Sequence, residues 1–120
     1  MEPLSVVLYQ NDPGTAQSLA VGLSQHFESV HVAGSYKEVG AAVALHNAGA
    51  VVLDLETAGP DEVNCLHHEF PGLCIVGTHR LADDKLWSEA LNFGASDICE
   101  PRKDEVVRSV LHHLMRRAAA

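Results

Sequence analysis

Positive charge is scarce in this sequence: 8 Lys and Arg stand against 16 Asp and Glu, for a formal net charge of −8. That shortage argues against nucleic acid and anionic lipid as partners, because phosphate contacts are made by Lys and Arg. The basic pair Arg116-Arg117 stands at the end of the last helical pattern and reads as last-turn or linker charge. Long apolar runs are missing too. None approaches the ~18 residues that a membrane span needs. The opening Met1-Glu2-Pro3 is acidic, so no secretory signal is legible and a cytoplasmic protein is expected. Cysteine is limited to Cys65, Cys74 and Cys99, an odd number in apolar surroundings, which fits buried, reduced thiols better than disulfides. Glycine makes no nucleotide signature: Asn11-Asp12-Pro13-Gly14-Thr15 matches neither the dinucleotide nor the P-loop pattern. The eight histidines offer no helical i, i+4 ligand set, and adjacent pairs such as His67-His68 point in different directions, which argues against a metal site.

What is present is enough apolar material for one core, 47% of 120 residues, arranged as a repeated strand-then-helix pattern. Leu4 to Tyr9 is an apolar run, and Asp12-Pro13 then reads as an N-cap with proline at the first helical position. Leu19, Leu23 and Phe27 form a helical stripe, followed by a short strand from Val30 to Ala33. Ser35 with Glu38 is a capping-box pattern opening a helix through Val39, Val43 and His46. Ala50 to Leu55 is a strand without alternation, as in a parallel sheet covered on both faces. A short helix from about Asp61 to Phe70 stops at Pro71-Gly72. Leu73 to Gly77, closing on Thr78, is the fourth strand. A helix from about Ala82 to Phe93 ends at Gly94, and Ser96 to Cys99 is the fifth strand. Asp104 is placed to cap a last helix carrying Val106, Val107, Val110, Leu111 and Leu114.

Five such units predict a flavodoxin-like (βα)5 doubly wound parallel sheet of order 2-1-3-4-5, as one domain over 1–120, with 116–120 as the start of a linker. In that order Gln10-Asn11-Asp12, Asp54, Thr78 and Glu100-Pro101 converge on the carboxyl rim, where open α/β sheets bind ligands.

The ordered set of Val51 to Leu55 around Asp54, Ile75 to Thr78, Gly94-Ala95-Ser96-Asp97 and Asn11-Asp12-Pro13-Gly14 resembles the response-regulator receiver domain of two-component phosphorelay signalling, over nearly the whole chain. The resemblance implies that Asp54 is the phosphoacceptor and Thr78 the switch hydroxyl. It also implies an acidic Mg²⁺-holding pair and a Lys after the fifth strand. Here the acidic pair falls on Gln10 and Asn11. The Lys falls on Glu100 or Pro101, and the small residue after the switch hydroxyl is His79. Lys103 is the nearest other lysine. A carboxylate attacking a phosphoryl group needs a cation to offset repulsion. Each lost unit charge at ~4 Å is worth up to roughly 4 kcal/mol at an effective dielectric near 20.

The expectation is therefore an atypical, or pseudo-, receiver, not an enzyme. It would signal through protein contacts, with weak or absent phosphorylation of Asp54, and bind Mg²⁺ at most weakly through Asp12 and Asp54. Two alternatives stay open: a working phosphoacceptor with non-standard Mg²⁺ ligands, and a flavodoxin-like small-ligand binder or enzyme. The expected partner is a histidine kinase or a downstream output domain. The contact face is the fourth helix, with Leu86 and Trp87, and a homodimer through the fourth helix, fifth strand and fifth helix is an option. The blander readings are a strand-end cap for Asp54, a solvent-facing loop residue for His79 and core packing for Trp87.

Overall fold

The computed structural model describes residues 2–81 and 83–119, with side chains described from 4 to 81 and from 83 to 114. Its elements are β1 (Glu2–Tyr9), α1 (Pro13–Ser24), β2 (Phe27–Val32), α2 (Tyr36–His46), β3 (Ala50–Asp54), α3 (Pro60–Glu69), β4 (Cys74–Thr78), α4 (Asp84–Asn92), β5 (Asp97–Cys99) and α5 (Lys103–Ala119). The five strands are parallel in the order β2-β1-β3-β4-β5. This is the doubly wound (βα)5 sheet expected from the alternation.

Every residue of β3 and β4 is buried, because helices cover both faces of the sheet. Alternate strand residues feed two cores. Val7, Val51, Leu53 and Ile75 pack with Val39 and Val43 of α2 and with Val63 and Leu66 of α3. Val6, Leu8, Val52 and Val76 pack on the other face with Leu19 and Leu23 of α1 and with Val106, Val107 and Val110 of α5.

Local chemistry sets the helix ends. Asp12 caps α1 by accepting from the Thr15 N–H at 2.9 Å, ahead of Pro13. Glu38 reaches back to the Ser35 N–H at 3.1 Å at the start of α2. Gly94 stops α4 with φ of +115°, a left-handed conformation where a Cβ would also run into the His67 ring.

Four expectations need correction. Phe27 is not on the stripe of α1; the helix is capped at Gln25, and Phe27 opens β2 and is buried in the α1/α5 core. Asp104 does not cap α5, which begins one residue earlier at Lys103, so Asp104 lies within the first turn. Cys65 is exposed on α3, where the inward positions belong to Val63 and Leu66. Leu55 closes no strand, since β3 ends at Asp54 and the chain turns there. Ala82, expected near the start of α4, lies outside the described residues, as do Ala120 and the side chains of 116–119 in the stretch read as a linker start.

Candidate functional site

Parallel pairing puts Asp54 directly beside Thr78, and Tyr9 beside Leu53, so the residues following β1, β3 and β4 meet at one rim. Asp54 is only 6% exposed. Its Oδ2 accepts the Asn11 main-chain N–H at 3.0 Å and its Oδ1 the Glu56 main-chain N–H at 2.9 Å. The carboxylate is thus held by two turns, which also supplies the capping role of the bland reading. Beside it, the Gln10 Nε2 donates to the Thr78 hydroxyl at 2.8 Å, with both residues buried. The Gln10 amide is therefore committed to the Thr78 hydroxyl.

Asp12 faces outward, and its Oδ2 accepts both the Thr15 N–H at 2.9 Å and the Thr15 hydroxyl at 2.7 Å. Those bonds, the hydroxyl first, hold its carboxyl below the usual range. Across the mouth runs a contact the sequence reading missed. The Arg80 Nη2 and Nε donate to Glu56 Oε1 at 2.8 and 3.0 Å, and the Arg80 main-chain N–H donates to Glu56 Oε2 at 3.3 Å. The guanidinium lowers the Glu56 pKa, and Glu56 raises that of Arg80. Arg80 also feels the charges of Asp12 and Asp54. A signal for this pair was present. Asp54 and Thr78 are register partners, and Glu56 and Arg80 each lie two residues further along, with opposite charge.

These groups border an open cleft of about 350 Å³ that includes Asp54, Asn11, Asp12, Thr57, Arg80 and Pro101. Of the two candidates for the Lys position, Pro101 lines the cleft. Glu100 is turned toward α4, and its N–H donates to Glu105 Oε2 at 3.2 Å. Lys103 is not near: its aliphatic stem lies against Gly22 of α1. The residues do not fit a resident Mg²⁺. The two amides supply no charge, and among the described residues no cluster of three His, Cys, Asp or Glu side chains offers a metal site.

A second concavity adjoins the first on the α4 side, with a volume of about 230 Å³. His79, Leu81, Trp87, Ile98 and Glu100 are among its lining residues. His79 does not pair with Asp54 or Glu100; its Nδ1 accepts the Leu81 N–H at 3.0 Å and shapes the turn. Trp87 is 46% exposed and not a core residue, while Leu86, on the same helix, is half-buried. Burial pushes the Cys99 thiol up to about 12, helped by Asp97, Glu105 and Glu100, so the thiol lining this groove is no nucleophile at neutral pH.

No family model and no curated relative matches the sequence. Solved structures do. A two-component response regulator from Clostridium difficile superposes with a TM-score of 0.82 at 17% identity, covering 98% of this chain and 99% of that one. A CheY-like protein, tadZ, from Pseudomonas aeruginosa PAO1 gives 0.72 at 26% identity, covering 98% and 93%. The fold is that of a receiver domain. HP1043, an orphan response regulator of H. pylori, shares this receiver fold with a TM-score of 0.77 at 16% identity, covering 88% of this chain and 92% of that one. Among the described residues, no helix is long and apolar enough to cross a membrane.

Proposed function

We propose that this chain is a single receiver-type signalling domain over 1–120 that acts by protein contact, with Asp54 an inherited phosphoacceptor of little or no activity. The observation that carries this reading is the state of the rim. Asp54 ends β3, where the resemblance puts the phosphoacceptor, yet the positions of the acidic pair hold the amides Gln10 and Asn11; Asn11 meets Asp54 only through its main-chain N–H, and the Gln10 side chain is tied to Thr78. With neither a metal-holding acidic pair nor a Lys at Glu100 or Pro101, an incoming phosphoryl group meets the charges of Asp54, Asp12 and Glu56. The domain then serves a histidine kinase or output-domain partner through the α4 side, around Leu86 and Trp87, without itself binding nucleic acid.

One observation favours a second reading, in which Asp54 still accepts a phosphoryl group: Arg80 places a guanidinium in the same cleft. Against it, Glu56 already occupies that fork in a bidentate fashion. Acetyl phosphate with Mg²⁺, read by intact-protein mass spectrometry, separates the two. The first reading expects at most a trace of phosphoryl adduct. A stoichiometric adduct absent from Asp54→Asn would hand the site to the second.

A further inference from the structure

The groove beside α4 carries more information about its partner than the rim does. α4 is nine residues long, and Ala90 is its one buried residue. Among the described residues, six large apolar side chains are exposed, and three of them fall together here: Leu81 at 85%, Trp87 at 46% and Leu91 at 40%. Asp84, Trp87 and Leu91 follow i, i+3, i+7 spacing and so share one face of the helix. A clustered apolar patch of this kind, centred on an aromatic residue, is what binding surfaces present.

The charge lining the groove is mostly negative. Asp83, Asp84 and Glu100 line it, and Arg80, the one Lys or Arg among its described lining residues, is held by Glu56, while Lys85 of α4 lies outside the lining. The whole chain is at −8, so no distant positive field counters them. A second copy of the chain would bring that same negative field to the interface, and an acidic segment would be repelled.

We infer that the α4 groove docks a basic amphipathic segment of another protein: an aliphatic or aromatic anchor seated against Leu81 and Trp87, flanked by Lys or Arg facing Asp83, Asp84 and Glu100. This rests on the protein-contact reading above and adds to it the chemistry of the partner. The anchor removes Trp87 and Leu81 from water, while the flanking charges set orientation and on-rate.

Trp87 is the sole tryptophan, so its emission reports the groove directly. The probes are a synthetic helical peptide of leucine and lysine and its twin with glutamate in place of lysine. The leucine–lysine peptide should shift Trp87 emission to the blue saturably. Its affinity should drop about tenfold or more in Asp83→Asn/Asp84→Asn, and also at ~1 M salt, where screening acts within about 3 Å. Asparagine keeps the cap at Asp83, so α4 should hold. Glu28→Gln, on β2 at the opposite edge of the sheet, should leave affinity unchanged. If only the glutamate twin saturates, the basic-partner inference falls and the contact reading stands. If neither peptide moves the emission, both fall. Emission that shifts with protein concentration alone, with a doubled mass by light scattering, assigns the groove to a second copy and overturns the inference.

Discussion

The cleft over Asp54 and the groove beside α4 lie side by side at the carboxyl end of one sheet, and they are built in opposite ways. In the cleft the main polar side chains are already partnered from within: Asp54 by two main-chain N–H groups, Thr78 by Gln10, and Arg80 by Glu56. In the groove Leu81 and Trp87 are uncovered, and the helix that bears Trp87 has a single buried residue. A polar site closed on its own partners has little binding energy left for a ligand, because any newcomer must first replace good hydrogen bonds. An uncovered apolar patch rimmed mostly by negative charge still has that energy to give. On the proposed reading, the inherited rim and the contact surface of this domain are different places.

The comparison breaks most visibly through stability. Thr78→Val leaves the buried Gln10 amide without its acceptor and should cost about 1–3 kcal/mol in urea unfolding. Trp87→Gln, on the open face, should stay within about 0.5 kcal/mol. Equal costs at the two positions would erase the contrast. Circular dichroism is the readout, since the second variant removes the only tryptophan.

An intermediate effect should come from a place that belongs to neither region. His31 of β2 stacks on His46 of α2 with ring centroids 3.4 Å apart. Burial, and then the His46 charge, lower the His31 pKa below its usual 6.5. The folded state thus binds that proton less readily than the unfolded chain. The stacking contribution is full above the usual imidazole pKa and is lost as pH falls below it, toward the depressed folded value. The urea midpoint should fall on acidification from about pH 7.5 to about 5.5, and His31→Gln should flatten that slope. A slope unchanged in His31→Gln would place the acid sensitivity elsewhere in the chain.

The smallest effect belongs to the strap over the cleft. Glu56→Gln keeps the shape and removes the charge from an exposed pair, so the urea midpoint should move only slightly, and the difference should vanish at ~1 M salt. A large, salt-independent loss would make the Glu56–Arg80 pair a structural element of the rim.

Most of the fold could be read in advance because it rests on local signals. The unbroken apolar run of β3, the Asp12-Pro13 cap and the Gly94 stop each point to one structure. Phe27 misled because its spacing from Leu19 and Leu23 fits a helix equally well, and only the cap at Gln25 decides against it. The rim was legible as a set of positions, since strand ends in this order must converge. Its bonds were not. Glu56 and Arg80 are 24 residues apart, and their contact depends on the register of β3 against β4. The Gln10–Thr78 bond spans 68 residues and depends on which way a buried amide turns.

On the proposed reading two amides stand where charge is needed, and an Mg²⁺ titration followed at the Asn11 and Glu56 backbone amides, the two N–H groups that hold Asp54, decides it. The account predicts no saturation of those shifts in the natural chain up to tens of millimolar, and saturation at a concentration lower by orders of magnitude in Gln10→Glu/Asn11→Asp, in line with up to about 4 kcal/mol per restored charge. Saturation of the natural chain near 1 mM, unchanged by the double substitution and abolished by Asp54→Asn, would contradict it.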